Sequence, residues 1–165
     1  MALTPTEFRT ALRSFAAGVT VVTTRDRDGH PSGLTASAFT SVSLDPPLVL
    51  VCVDHKSQTF PALRDRSRFA INVLRDDQEG VSRRFASTRL DKFDGVAYTL
   101  SALGLPLLPD ALARIECSKV SAYVEGDHTI FVGRVERASA GDGAPLLFYC
   151  GRYARLADDP RGATP

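Results

Sequence analysis

The sequence predicts a mainly β fold with some α-helix (α+β), in the form of a mostly antiparallel, closed barrel with two or three helices. Short runs of β-branched and apolar residues recur along the chain, and the turn pairs Asp28-Gly29 and Gly126-Asp127 join neighbouring runs into hairpins. Few segments show helical spacing, whereas a parallel sheet needs a helical crossover between successive strands. The 165 residues, 44% of them apolar, are expected to form one domain, residues 1–165.

The N-terminal half is predicted to contain one helix, one hairpin and one deeply buried strand. Thr4 and Glu7 form a capping box, apolar residues then recur at helical spacing, and Gly18 is the predicted stop. The predicted strands of this half are 19–24, 31–39 and 48–53. The last of these follows an Asp-Pro-Pro break and contains no polar residue, which predicts a strand buried on both faces at the centre of the barrel.

The rest of the chain, after residue 53, is predicted to contain two short helices and a second hairpin. One helix is expected to begin at Ser57, and the other to run from about 77 to 86 with Val81 and Phe85 on one side. The predicted strands are 69–74, 113–125, 128–138 and 146–149, of which the second and third form the hairpin. The Gly141-Asp142-Gly143 segment lacks the following helix of a dinucleotide fingerprint, which favours a loop turn.

Charge and cysteine content exclude several classes of protein. The formal net charge is +1 and the charges are scattered, which argues against a nucleic-acid groove or a membrane-surface patch. Cys52, Cys117 and Cys150 are odd in number, far apart and outside any C-x-x-C pair, which favours a reducing cytoplasm. The longest apolar run, 48–53, is too short to span a bilayer, and no apolar leader precedes the first helix. We therefore expect a soluble cytoplasmic protein.

The familiar catalytic motifs are absent, which favours a protein whose cofactor performs the chemistry. No H-E-x-x-H, G-x-S-x-G or P-loop motif is present, and with three histidines no metal site is predicted. A redox cofactor performs the electron transfer itself, and the protein mainly binds it, orients it and provides the surrounding electrostatics. The segment 33–47 is rich in small and hydroxyl residues, including Thr35, Ser37 and Ser41, that could bind a planar ring. A hydroxyl-rich strand and loop without a ligand explains the same composition.

A second segment has the composition of a phosphate-binding turn. Lys56, Ser57 and Thr59 offer a cation and two hydroxyls at the predicted start of a helix. The alternative is that Ser57 is only an N-cap and Lys56 only a solvated loop residue.

Taken together and in order, these segments resemble the flavin reductase-like family. GLTASAFTSVSLDPPLVLVCVDHKSQT followed by FAINVL carries the resemblance, with GVTVVTT upstream, DKFDG in the middle, and GDHTIFVGRV and PLLFYCGRY in the C-terminal third. The resemblance covers about residues 8–156 and leaves a short polar tail, 157–165. It implies an FMN-binding split β-barrel of antiparallel Greek-key type with two or three peripheral helices, usually a homodimer with flavin at the subunit interface.

The family resemblance also implies an activity. The expected protein is an NAD(P)H:flavin oxidoreductase that reduces FMN or FAD by hydride transfer from NADH or NADPH, and that supplies reduced flavin to a partner monooxygenase. The choice between the two flavins and between the two nicotinamides stays open. Two alternatives are a non-catalytic split barrel that holds flavin, haem or deazaflavin, and an oxidase of the pyridoxine phosphate type. The second is less favoured because the SLDPP and GDH segments resemble the reductase group.

Site residues follow from the resemblance, position by position. The resemblance implies that the isoalloxazine ring is lined by Thr35, Ala36 and Ser37, and that the ribityl chain lies near Ser41 and Ser43. It implies that the flavin site is bordered by the backbone of Val51, Cys52 and Val53. It also implies that the flavin phosphate is faced by Lys56, Ser57 and Thr59. Arg83, Arg84 and Phe85 are implied at the adenine or phosphate end of FAD, or else belong to an ordinary amphipathic helix. His128, in the GDH segment, is implied at the nicotinamide side and is the predicted catalytic residue.

Overall fold

The computed structural model describes residues 3–157, so the predicted tail lies outside the described residues except for Ala157. The described chain contains three helices and twelve strands, which in order are α1 (Pro5–Leu12), β1 (Ala17–Gly18), β2 (Thr20–Arg25), β3 (Pro31–Ala36), β4 (Phe39–Leu44), β5 (Pro47–Asp54), α2 (Phe60–Asp65), β6 (Arg68–Val73), α3 (Glu79–Ala86), β7 (Thr99–Leu100), β8 (Pro106–Leu107), β9 (Ala113–Glu125), β10 (His128–Ala140), β11 (Leu147–Tyr149) and β12 (Arg152–Ala154). Among these residues no helix is long and apolar enough to cross a membrane.

One seven-stranded sheet forms the body of the molecule, in the order β3-β2-β6-β9-β10-β5-β4. All its neighbouring strands are antiparallel. Residues from strands across the whole sheet, such as Val22, Leu34, Val51, Ile71 and Phe131, share one buried apolar cluster, which indicates that the sheet wraps around a single core.

The sheet does not close, which corrects the prediction of a closed barrel. Its edge strands are β3 and β4, which follow each other in the chain and are joined by Ser37 and Ala38. At this point the chain leaves one edge of the sheet and starts the other instead of pairing the two. The predicted strand 31–39 is therefore interrupted, and the arrangement is that of a split barrel.

The strand buried on both faces is β2, not β5 as predicted. Val22 faces the barrel core, while Val21 faces a second cluster that includes Phe85 of α3. The polar members of β2 are buried as well, because the hydroxyls of Thr20, Thr23 and Thr24 donate to backbone carbonyls. A threonine counts as polar in a sequence-based prediction, but it can be buried because its hydroxyl is hydrogen-bonded inside the fold.

In β5 the burial alternates instead. Val49, Val51 and Val53 face the core, whereas Leu48, Leu50 and Cys52 are only half-buried on the outer face. The strand lies next to the sheet edge, so only its inner face is covered within this chain.

The helices differ from the predictions mainly at their ends. The capping box of α1 forms as predicted, but the helix ends at Leu12, and Gly18 lies in β1, which pairs with β11. No residue of α1 is buried, so its apolar face does not pack into the core. The helix predicted to begin at Ser57 begins at Phe60. α3 carries Val81 and Phe85 on its packed side, as predicted.

The long hairpin of β9 and β10 is confirmed, and the last predicted strand is followed by a further strand that was not predicted. Gly126 adopts a φ of +61° in the turn between β9 and β10, a conformation that favours glycine. The strand predicted over 146–149 forms as β11 and is followed by β12, and the two complete a small sheet with β1.

Candidate functional site

The predicted ring-binding segments meet at the gap between β3 and β4. The backbone N–H of Cys52 donates to the carbonyl of Ala38 at 3.0 Å, and Val51 pairs with Phe39. Ser37 and Ala38 are exposed at this point, whereas Ala36 is buried. Small residues with accessible backbone therefore line the gap, which is the environment that a planar ring requires.

Thr35 is held by α3 rather than left free. Its hydroxyl donates to the carbonyl of Ser82 at 2.7 Å, which ties the end of β3 to the helix. This bond uses the one proton of the hydroxyl, so its predicted role at the isoalloxazine depends on accepting a hydrogen bond.

β5 contributes its backbone and the Cys52 thiol to the gap. The side chains of Val51 and Val53 are buried in the core, so any contact they make with a ligand is through the main chain, as the resemblance implies. Burial raises the pKa of the Cys52 thiol, so the thiol that lines the gap is uncharged at physiological pH.

A β-bulge separates the two serines predicted near the ribityl chain. Ser41 pairs with Val49, Ser43 pairs with Leu48, and the register shifts between them at Val42. Directly paired residues project from the same face of a sheet, so Ser41 shares the face of Val49 and Ser43 the opposite one. Simple alternation would put both serines on one face. They therefore cannot contact a flavin from the same side of β4.

The predicted phosphate residues differ in exposure: Lys56 is exposed, Ser57 is half-buried and Thr59 is buried. Lys56 is exposed in the turn after β5, where its backbone N–H donates to Asp54 Oδ1 at 2.8 Å. Ser57 Oγ accepts from the N–H of Thr59 at 3.3 Å. Thr59 itself is 2% exposed, and its hydroxyl donates to the carbonyl of Gly33 at 2.7 Å. No helix starts at Ser57; α2 begins at Phe60, with Thr59 as its N-cap.

The three α3 residues are largely engaged within the fold. Phe85 is fully buried, and Arg84 donates to the carbonyls of Lys92, Asp91 and Asp94. This matches the alternative of an ordinary amphipathic helix for these two residues. Arg83 is exposed; it pairs with Glu79 at 2.6 Å, and its guanidinium lies 4.8 Å from the Tyr153 ring centroid.

His128 begins β10, directly opposite Asp54 of β5. Its Nδ1 lies 2.6 Å from Asp127 Oδ1, and its side chain is 43% exposed. The hydrogen bond and charge of His128 lower the pKa of Asp127, and the charge of Lys56 lowers it further. Because β5 and β10 are antiparallel, the turn after β5 and the start of β10 lie at the same end of the pair. The structure therefore brings together Lys56 and His128, two residues that the sequence assigns to different parts of the ligand.

Comparison with known proteins identifies the family of this chain. The family model for the flavin reductase like domain matches residues 12–157. The chain belongs to this family. Among relatives, the chain is 41% identical over 165 residues to the reductase subunit HsaB of a flavin-dependent monooxygenase from Rhodococcus jostii, covering 99% of this chain and 84% of that protein. It is 46% identical over 151 residues to the NADH-dependent FMN reductase SmoA of Agrobacterium fabrum, covering 91% of this chain and 85% of that protein.

A solved family structure has the same fold. The NADH:FAD oxidoreductase SgcE6 of Streptomyces globisporus, in complex with NAD and FAD fragments, superposes with a TM-score of 0.89 at 39% identity. The alignment covers 97% of this chain and 99% of that chain. The split barrel expected from the family resemblance is thereby confirmed.

Two features next to the site are missing from the sequence-based prediction. A cavity of about 400 Å³ borders Ser37 and Ala38, between the exposed face of α1, with Leu12 and Phe15, and the β11–β12 turn at Cys150. The sequence signal for it is the apolar face of α1, which reads as a core face.

The other missed feature is Lys92, the lysine of the DKFDG segment. It is 8% exposed, and its Nζ donates to the carbonyls of Phe85 at 3.0 Å and Gly33 at 3.4 Å. Burial lowers the pKa of this lysine. Its contacts fix the end of α3 against β3, which carries the predicted ring-binding residues.

Proposed function

We propose that this chain reduces FMN or FAD with NADH and supplies the reduced flavin to a partner monooxygenase. The observation that carries the proposal is similarity along nearly the whole chain to named reductases. One of these, an NADH-dependent flavin reductase of a Rhodococcus species, is 43% identical over 97% of this chain and 93% of its own length. A flavin accepts a hydride from a nicotinamide and passes the electrons on, so the chain needs to bind and orient its two nucleotides.

The residues around the β3–β4 gap support flavin binding there. Ser37 and Ala38 leave the backbone accessible to a planar ring, and Cys52 presents a neutral thiol on the neighbouring strand. Lys56 has no ion-pair partner among residues 3–157, so its ammonium is available to a phosphate. A single exposed cation beside a hydroxyl is a reasonable phosphate contact.

His128 is proposed to orient the nicotinamide. Asp127 accepts a hydrogen bond at Nδ1 of the imidazole, which assigns the Nδ1 proton and leaves Nε2 directed away from the carboxylate. A fixed ring can position the amide or ring of the hydride donor, and precise positioning is the main contribution that this reaction needs from the protein.

A matrix of initial rates tests the proposed function. NADH or NADPH oxidation is followed by the loss of the absorbance of the reduced nicotinamide, with free FMN or FAD present. We expect rapid oxidation of NADH with at least one flavin, and substrate turnover by a coupled oxygenase only when reduced flavin is produced. A protein that binds flavin tightly but oxidises neither nicotinamide is the non-catalytic alternative, and it would refute the proposal.

We also propose that the protein is a homodimer located in the cytoplasm. The outer face of β5 and β10 exposes half-buried apolar side chains, including Leu50, Cys52, Ile130 and Val132, that no element within residues 3–157 covers. An obligate interface commonly buries on the order of 2,000 Å² or more. Light scattering that gave a monomer of 17.8 kDa with full activity would contradict the dimer. The three cysteines are free thiols, which fits a reducing compartment.

A further inference from the structure

A second polar cavity lies at the opposite end of the barrel from the flavin site. It has a volume of about 380 Å³, and its walls include Arg25, Arg27, Arg66, Arg68 and Gly104. Along β2, Thr20 pairs with Ala36 beside the flavin site and Arg25 pairs with Pro31. Five residues of strand span about 17 Å. The cavity is therefore separate from the ring-binding residues at the β3–β4 gap.

Its walls carry four arginines and one acid, Asp28. Side-chain hydrogen bonds lower the pKa of Glu136, and the charge of Arg68 lowers it further. β2 and β6 pair from Thr20–Val73 to Thr23–Ala70, and beyond this ladder Arg25 and Arg68 lie at the same end of the two strands, where both line the cavity. Like charges that line one cavity repel each other. Within residues 3–157, no carboxylate oxygen lies within 4.0 Å of Arg25, Arg66 or Arg68. An anion between these guanidinium groups would remove the repulsion.

Arg25 is also held in a fixed orientation. Its Nε donates to the carbonyl of Gly29 at 2.6 Å. A Cβ added at Gly29 would lie 2.8 Å from Nη2, and one at Gly104 would lie 3.8 Å from Nη1. Both glycines have positive φ, at +87° and +74°. The guanidinium thus lies between two glycines, and in the described chain its Nη groups donate to no protein acceptor.

We propose that this cavity binds a diphosphate group, either free or as part of a nucleotide. Planar guanidinium groups match phosphate oxygens in a two-pronged geometry, and an oriented group loses little freedom on binding. Arg27 already pairs with Asp65 at 2.8 Å, and Asp28 contributes one negative charge to the wall, so the remaining charge is positive. The volume is within the range of small-ligand sites and exceeds that of a single phosphate.

Calorimetric titration with pyrophosphate tests the proposal. The protein is first saturated with FMN, so that the proposed phosphate contact of Lys56 is occupied. We expect saturable binding to the unmodified protein and binding weaker by about 10- to 150-fold in Arg68→Met. Arg155→Met is the matched control, because Arg155 is also exposed but lies only 3.9 Å from an acid, Asp76, away from this cavity. It should bind pyrophosphate normally, and both variants should oxidise NADH at the unmodified rate.

Further titrations identify the source of the diphosphate group, and a second variant is used if the first does not fold. ADP is titrated beside pyrophosphate: binding of both indicates a nucleotide, and binding of pyrophosphate alone indicates the inorganic ion. Adenosine, which has no phosphate, should not bind. Arg68→Gln replaces Arg68→Met if the latter fails to fold. The proposal is overturned if unmodified protein shows no saturable binding, if the Arg68 variants bind as tightly, or if Lys56→Ala rather than Arg68→Met removes binding.

Discussion

Replacing Thr59 by valine separates a structural role of this residue from a ligand-binding one. The side chain is 2% exposed, and its hydroxyl donates to the Gly33 carbonyl at 2.7 Å. Valine keeps the shape but removes the donor, which leaves that carbonyl with Lys92 at 3.4 Å. Loss of a buried partner costs about 1–3 kcal/mol, and the remaining lysine contact favours the lower half of that range. For a chain of this size we expect the melting temperature to fall by about 2–8 °C.

Two measurements on Thr59→Val decide between the roles. Thermal unfolding reports the free energy of unfolding, and fluorescence titration reports the affinity for FMN. Thr40→Val is the control, because its exposed hydroxyl makes only a 3.4 Å contact with a neighbouring carbonyl. We expect Thr59→Val to lower stability and Thr40→Val to leave it unchanged. An unchanged melting temperature together with weakened FMN binding would show that the hydroxyl serves the phosphate, and the structural argument would be wrong.

Three further predictions concern the site and the core. Lys56→Ala removes the proposed phosphate cation, so titration should show FMN affinity weaker by about 10- to 150-fold; unchanged affinity would make Lys56 a bystander. His128→Ala should slow flavin reduction in rapid mixing with saturating NADH by on the order of a hundredfold, with little change in flavin affinity, and an unaltered rate would remove its catalytic assignment. Gly133→Ala would place a Cβ 2.6 Å from Phe69 Cζ and 2.7 Å from Cys117 Cβ, so we expect thermal unfolding to show a loss of about 1–3 kcal/mol; full stability would mean that the core has room there.

Local patterns in the sequence predicted the strands and hairpins well. The β9–β10 hairpin follows from two long β-rich runs around Gly126-Asp127, since a glycine turn between such runs has few alternatives. The capping box at Thr4 forms for the same reason, because all of its partners lie within three residues. By contrast, the break at Ser37 and Ala38 depends on which sheet edge the chain joins next, and nothing local reports that.

The sequence by itself determined the family, the strand-rich architecture and the segments that carry the flavin site. Only the tertiary structure decided which side chains are available to a ligand and which are held by hydrogen bonds within the fold. Thr23 is buried because its hydroxyl reaches the Pro106 carbonyl, 83 residues away. Lys56 lies near His128 because two distant strands pair in antiparallel register, and Arg25 and Arg68 line one cavity for the same reason. Hydropathy and secondary-structure propensity depend on a residue and its near neighbours in the sequence. The hydrogen-bond or ion-pair partner of a side chain depends instead on contacts between segments far apart in the chain.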